Sequence, residues 1–331
     1  MNNNQWLRRI ELLLSTQDHS KFIDLSQFHI KFSVGAEDVE TPNTCEIRLY
    51  NLAKETAAYV LTEFNTVTLN AGYIGGSFGS IFQGTIKQVK FGRENATDTY
   101  VDIYASDGDV VYLNGTVVDS IPKGKTLAET VQKVAGGMQQ SAAKINAAAV
   151  NIASQADMST IVVDSQHFPQ IRGQVLFGMG KSVMRNLANT LEATWSIQNG
   201  RITLLNRTAY TNDPPVDINV ATGLIGLPEQ TDEGIKVQSL LNPLIRIGGR
   251  INLNNKEIVQ TMQQNPNAAP IQYNQRTGFQ YMAALANSPG GFYRAYAISH
   301  EGDTRGNPWY THLTCLAVSA SAPQSSSVPK T

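Results

Sequence analysis

The chain has 331 residues, 41% of them hydrophobic, with 26 basic against 27 acidic side chains and a formal net charge of −1. That length allows two or three domains, and the balanced charge excludes a basic field built to hold nucleic acid by its phosphates. Charged residues make up only 16%, against about 25% in an average globular chain; Gly, Asn, Gln, Ser and Thr take their place, as in β-rich proteins that bury much of their surface in assemblies.

Residues 1–110 read as β structure. Ile30, Phe32 and Val34 fall on one face of a strand, and Cys45, Ile47 and Leu49 on one face of the next. Asn51 is a candidate cap for a short helix or turn that follows. Val67, Leu69, Ala71 and Tyr73 alternate again, Gly75, Gly76 and Gly79 make a loop, and strands resume at Ile81 and Val101. Five period-2 runs at short spacing point to a barrel or sandwich.

The period changes over 111–208. Leu127, Val131 and Val134 lie at i, i+4 and i+7, which predicts an amphipathic helix from Thr126 to about Gly136. The Ala-, Gln- and Ser-rich stretch 138–155 reads as a loop with partial helix. Val183, Leu187 and Leu191 form a second helical stripe behind Gly178 and Gly180. A hairpin follows, with Asn199-Gly200 as its type I′ turn. A two-residue loop sets Ile197 opposite Ile202 and Trp195 opposite Leu204, pairs that contribute roughly 0.2–1 kcal/mol each.

Residues 209–331 return to β. Gly223, Gly226 and Pro228 mark bends, and Ile235, Val237 and Ser239 share a face. Asn242-Pro243 stops the run, and Gly248-Gly249 turns the chain into a strand at 250–253. Polar residues around 263–267 and 287–291 read as loops. Strands are expected at 292–300 and 309–318, joined by a turn at 302–306. The low-complexity tail 319–331 has no pattern of its own.

Few residues suggest chemistry. Glu301 and Asp303, beside His300, could form a metal or acid–base cluster; flanked by Gly302 and Gly306 they read as a turn in which Asp303 caps backbone N–H groups and pairs with Arg305. His167, after Asp164, reads as a loop histidine. Asp107 and Asp109 lack the spacing and closing Glu of a calcium loop. No Lys-Ser or Lys-Thr follows Gly75–Gly79, so that loop is no phosphate cradle. Residues 122–127 (PKGKTL) resemble the start of the glycan-binding LysM repeat, without its second half. Cys45 and Cys315 sit in apolar runs and read as buried small hydrophobes, with a disulfide or metal pair as the alternative. Trp195 and Trp309 read as core anchors, and Tyr310 or Phe292 as interface aromatics. No apolar run reaches the ~18 residues of a membrane span. The start, MNNNQW, lacks a signal peptide's basic and apolar regions, so synthesis in the cytoplasm is expected.

Four passages in order along the chain resemble the phage baseplate hub proteins, the tail-tube-initiating family that includes the late-control protein D type. These are residues 41–52 (TPNTCEIRLYNL), Ala71–Tyr73 with 81–84 (IFQG), 223–250, and 293–310 (YRAYAISHEGDTRGNPWY). The resemblance implies a mainly β chain with a small α+β middle unit. Two tail-tube-like β-barrel domains, 1–110 and 209–318, would flank a helix–helix–hairpin portion at 111–208, with a tail at 319–331. It also implies a homotrimer in the virion tail baseplate, adapting a threefold spike to a sixfold tube. The implied partners are a central spike or tip protein, a tail tube or tube-initiator protein, baseplate wedge proteins and the tape measure protein, with DNA only in transit. No catalytic, cofactor or metal site is expected. The alternatives are a tail-associated peptidoglycan hydrolase, with its site at Glu301/Asp303 or in the middle unit, and the hub of a phage-like injection system.

Overall fold

The computed structural model describes residues 5–16, 20–145, 159–162, 171–206, 209–211, 213–231, 234–253 and 291–317. Its first part runs β1 (Arg8–Ser15), β2 (Phe22–Asp24), β3 (His29–Glu37), β4 (Thr44–Tyr50), α1 (Lys54–Thr62), β5 (Thr66–Tyr73), β6 (Phe78–Arg93) and β7 (Thr99–Ser106). The middle continues with α2 (Asp109–Asn114), β8 (Thr116–Ile121), α3 (Leu127–Ile145), β9 (Ser159–Val162), β10 (Gln174–Met179), α4 (Gly180–Thr190), β11 (Ala193–Gln198) and β12 (Arg201–Asn206). The last part holds β13 (Val216–Ile218), β14 (Leu224–Thr231), β15 (Gly234–Leu240), β16 (Arg250–Leu253), β17 (Gly291–Asp303) and β18 (Trp309–Ala317). The protein is mainly β with few helices, as expected.

The alternating runs bury their apolar members as the pattern requires. Ile30, Phe32, Val34, Cys45, Ile47, Leu49, Val67, Leu69, Ala71 and Tyr73 are all in the core. β1 contributes Leu12 and Leu14 to the same core; its signal is masked in the sequence because Leu13 fills the outward position between them. At a type I′ turn both central residues need positive φ, and Asn199 and Gly200 have φ of 51° and 75°. The register sets Ile197 against Ile202 and Trp195 against Leu204.

The β-rich first and last parts form one sheet. Thirteen strands follow the order β14-β15-β18-β17-β3-β4-β7-β6-β5-β1-β2, with β16 branching onto β17 and carrying β13. The join is an antiparallel ladder between β17 and β3, from Ala297–Glu37 to Asp303–Lys31. Among the described residues no ladder closes either part into a barrel. The buried apolar residues nevertheless fall into three clusters, one for each part. Leu241 and Trp309 cross over and pack in the first cluster, where Trp309 meets Phe32 edge-on at 5.5 Å.

Two local expectations are corrected. The helix starting after Thr126 does not stop near Gly136 but runs to Ile145. Its buried stripe continues through Val131, Val134, Ala135, Met138 and Ala142, and that burial outweighs the roughly 1 kcal/mol cost of each of Gly136 and Gly137. Residues 146–155 lie outside the described residues. Asn51 does not cap α1, whose N-cap is Ala53 with no side-chain bond. Its amide instead bonds Asp98 at 3.0 Å and the Thr99 N–H at 3.0 Å, pinning the β6–β7 turn.

Candidate functional site

One face of the sheet is the apolar core; the other is polar across seven strands. Period 2 and the ladders bring onto it Lys236 and Gln238 of β15, His312 and Tyr310 of β18, and Ser299 and Glu301 of β17. They continue through Ser33 and Lys31 of β3, Glu46, Arg48 and Tyr50 of β4, Tyr104, Asp102 and Tyr100 of β7, and Gln88 and Lys90 of β6. Its charges are largely spent within the face. Arg48 holds Asp102 in a fork at 2.7 and 2.9 Å, the strong bidentate geometry, and that carboxylate raises the Arg48 pKa further. The same guanidinium lies 4.1 Å from the Tyr100 ring centroid, Lys31 5.0 Å from that of Tyr50 and Lys90 4.7 Å from that of Tyr104. The bulged strand β14 arches over one end, leaving an open groove lined by Leu227, Glu229, Lys236, Ser299 and His312.

A second constellation joins the three parts of the chain. Asp38, just beyond β3, accepts hydrogen bonds from Thr194 (2.8 Å) and Ser196 (3.3 Å) of the middle hairpin. Arg294 of β17 donates to the same carboxylate at 2.9 Å and to the Asn206 carbonyl at 2.8 Å. Asp107 receives the turn N–H groups of Asn199 and Gly200 at 2.5 and 2.7 Å, and burial pushes its pKa up to about 7. Asn43 donates to the Ile197 carbonyl (3.2 Å), and Glu40 forks onto Arg185 at 2.9 and 2.5 Å. Carboxylates of the first part thus hold donors of the middle unit. In the sequence Asp38, Glu40, Asn43 and Asp107 lie between strands, far from Thr194, Ser196 and Arg294 and with no mutual spacing, so nothing local could have found them.

The residues singled out for chemistry have structural duties. His300 is buried against Thr311 at 2.9 Å, and burial lowers its pKa to about 4. Glu301 points the other way and meets His312 at 3.0 Å. Asp303 caps the N–H groups of Arg305 (2.9 Å) and Gly306 (2.8 Å), as expected. Its ion-pair partners, however, are His29 at 2.8 Å and Lys31 at 3.8 Å rather than the Arg305 side chain, because β3 runs beside β17. Burial pushes the Asp303 pKa up, but the two N–H groups and His29 together hold it below the usual carboxylate value. Asp109 binds Thr85 and Lys87. Among the described residues no group of three His, Cys, Asp or Glu could hold a metal ion.

The PKGKTL segment is the lead-in to α3, where Thr126 and Glu129 form a reciprocal cap with N–H bonds of 3.2 and 2.8 Å. Cys45 and Cys315 are free and buried; burial raises both thiol pKa values, that of Cys315 to about 12. Trp195 and Trp309 are core residues, while Phe292 is half exposed. Asp164, His167, the loops at 263–267 and 287–290, and the tail 319–331 lie outside the described residues. No described helix is long and apolar enough to cross a membrane.

The described residues thus form a continuous sheet with one polar face whose charges pair with one another, and buried carboxylates tie the three parts of the chain together. The chain belongs to the baseplate hub gp41 family, whose profile matches residues 10–258, and its role is structural, in a phage tail baseplate. Two solved structures are similar in fold. One is the tail protein from Neisseria meningitidis MC58, 7% identical, TM-score 0.53, with 94% of this chain and 96% of that one covered. The other is the 43 kDa tail protein of prophage MuSo2 from Shewanella oneidensis, 8% identical, TM-score 0.50, with coverage of 96% and 99%. At these identities the likeness is one of fold. Among curated proteins none matches the chain.

Proposed function

We propose that this chain is a trimeric hub at the centre of the baseplate, a structural protein that does no chemistry. Each copy offers two β-rich parts, 1–110 and 209–318, as tube-like domains around the middle unit 111–208, so three copies present six. Such a ring adapts a threefold central spike to a sixfold tail tube and nucleates the tube. Its position is the virion tail, beside spike, tube-initiator and wedge proteins.

The observation that carries this reading is the continuous sheet with its polar face. The β17–β3 ladder merges both β-rich parts into one wall, and its outermost strands among the described residues, β14, β2 and β13, suit closure with neighbouring copies, since heterologous contacts that close make rings. Turned inward, a face whose cations are engaged by Asp102 and tyrosines would line a channel that passes tape measure protein and then DNA without gripping phosphates. The three separate hydrophobic clusters support the domain division. Light scattering of the purified protein at several concentrations tests the proposal. A particle of three times the 36.1 kDa chain mass is expected. A monomer at every concentration that stays monomeric with spike protein added would overturn it.

A further inference from the structure

Strand β6 carries a bulge where it pairs with β7. Ile86 stands opposite Ala105 and Gln88 opposite Tyr104, so Lys87 is the extra residue between them. A bulge re-aims the side chain it carries, and this one brings Lys87 to the segment that follows β7. Its amine lies in direct contact with Oδ2 of Asp109, the first residue of α2. The other oxygen of that carboxylate, Oδ1, accepts a hydrogen bond from the hydroxyl of Thr85, two residues earlier on β6.

This pair differs from the open ones. Among the described residues, Lys21–Glu63, Lys125–Glu129 and Lys133–Asp119 leave both side chains at least a third exposed. The Asp109 side chain is only 7% exposed, and Thr85 beside it is buried. Burial lowers the Lys87 pKa, which raises the share of free amine, the nucleophilic form. An ion pair under cover must offset the water lost from both charges; a neutral amide at the same place has no such cost. Groups held in contact also react as if highly concentrated, with effective molarities of about 10⁵–10⁸ M in well-oriented cases.

We propose that Lys87 and Asp109 join as an intramolecular isopeptide bond, a covalent staple between the first part of the chain and the start of the middle unit. The Lys87 amine attacks the Asp109 carboxyl carbon. A C–N bond forms and the C–Oδ2 bond breaks. That oxygen leaves as water with two of the three protons of the original ammonium, and the third stays on the amide nitrogen. Thr85 donates to the oxygen that remains, where negative charge develops in the tetrahedral intermediate. The bond lies two residues beyond Asp107, which holds the turn of the middle hairpin, so it braces the same junction.

The intact mass of the purified full-length chain, folded and incubated in mildly alkaline buffer, tests the bond. The wild-type chain is expected to be lighter than its sequence by one water. Its tryptic digest should contain one branched peptide that joins the segments around Lys87 and Asp109, uncut after Lys87. Lys87→Arg keeps the opposite charges but lacks the amine, and Asp109→Ala lacks the carboxyl; both are expected at full sequence mass. The wild-type reading stands whether or not either variant folds. A folded wild-type chain at full sequence mass, cut normally after Lys87, overturns the proposal and leaves an ion pair. A missing water that persists in Lys87→Arg overturns it too, because Asp107-Gly108 loses water when it closes to a succinimide, a ring that hydroxylamine opens and an isopeptide bond survives.

Discussion

Arg294 and Asp38 form an ion pair at 2.9 Å with both side chains fully buried, 256 residues apart in the chain. The pair joins a strand of the last part to the end of β3 in the first, and through Thr194 and Ser196 it also holds the middle hairpin. Two charges taken out of water repay their desolvation only while both are present. Asp38→Ala is therefore expected to cost roughly 3–5 kcal/mol, more than a typical cavity of that size, because it strands a buried guanidinium. The double variant Asp38→Ala with Arg294→Met should recover part of the loss. Urea unfolding of the single and double variants measures the coupling; an additive cycle would mean that the two residues act separately.

Asp107 predicts a pH dependence of definite sign. Its folded pKa of about 7 lies above the ordinary value of 3.8, so the folded state holds a proton that the unfolded chain has released. Stability from this group is full below about pH 4 and is lost as pH rises toward 7, by an amount on the order of 4 kcal/mol. Asp107→Asn removes the titration and should flatten the stability profile between pH 4 and pH 7 relative to wild type. Parallel profiles for the two proteins would show that Asp107 does not titrate there.

Gly302 reads in the sequence as turn punctuation, but it lies inside β17, facing the core. A Cβ at this position would collide with the Phe32 ring and come within 2.8 Å of the Trp309 ring. Gly302→Ala should therefore cost about 1–3 kcal/mol through overpacking. Thermal unfolding followed by near-ultraviolet circular dichroism, which sees the Trp309 environment, tests this; an unchanged midpoint would mean that the rings move aside freely.

Both cysteines are buried with raised thiol pKa values. An aromatic disulfide reagent at pH 8 should titrate neither thiol in the folded protein and both in denaturant, since the thiolate is the reactive form. Rapid reaction of one thiol in the native state would place Cys45 or Cys315 outside the core.

The short-range features were legible because they repeat within a few residues. Alternation revealed β3, β4, β5, β7, β15 and β16, and Asn199-Gly200 specified the hairpin register because a two-residue turn leaves no freedom in the pairing. Where local and tertiary terms compete, the reading slipped. Two glycines and a run of Ala and Gln hid the second half of α3, and Leu13 hid the alternation of β1. Apolar burial against the rest of the fold outweighed the propensity in the first case.

By itself, then, the sequence determined the alternating strands β3, β4, β5, β7, β15 and β16 with their apolar faces, the Asn199-Gly200 hairpin turn, and the absence of a basic field. It also carried the family, through four ordered passages. Only the tertiary structure decided that β3 and β17 pair, that Leu241 and Trp309 complete the first core, that Asp38 rather than any local partner neutralises Arg294, and that Lys87 meets Asp109. The reason is physical. A periodic pattern states what a segment will bury but not against what; the partner is chosen by strand edges, cavities and charges that meet only when distant segments are packed together.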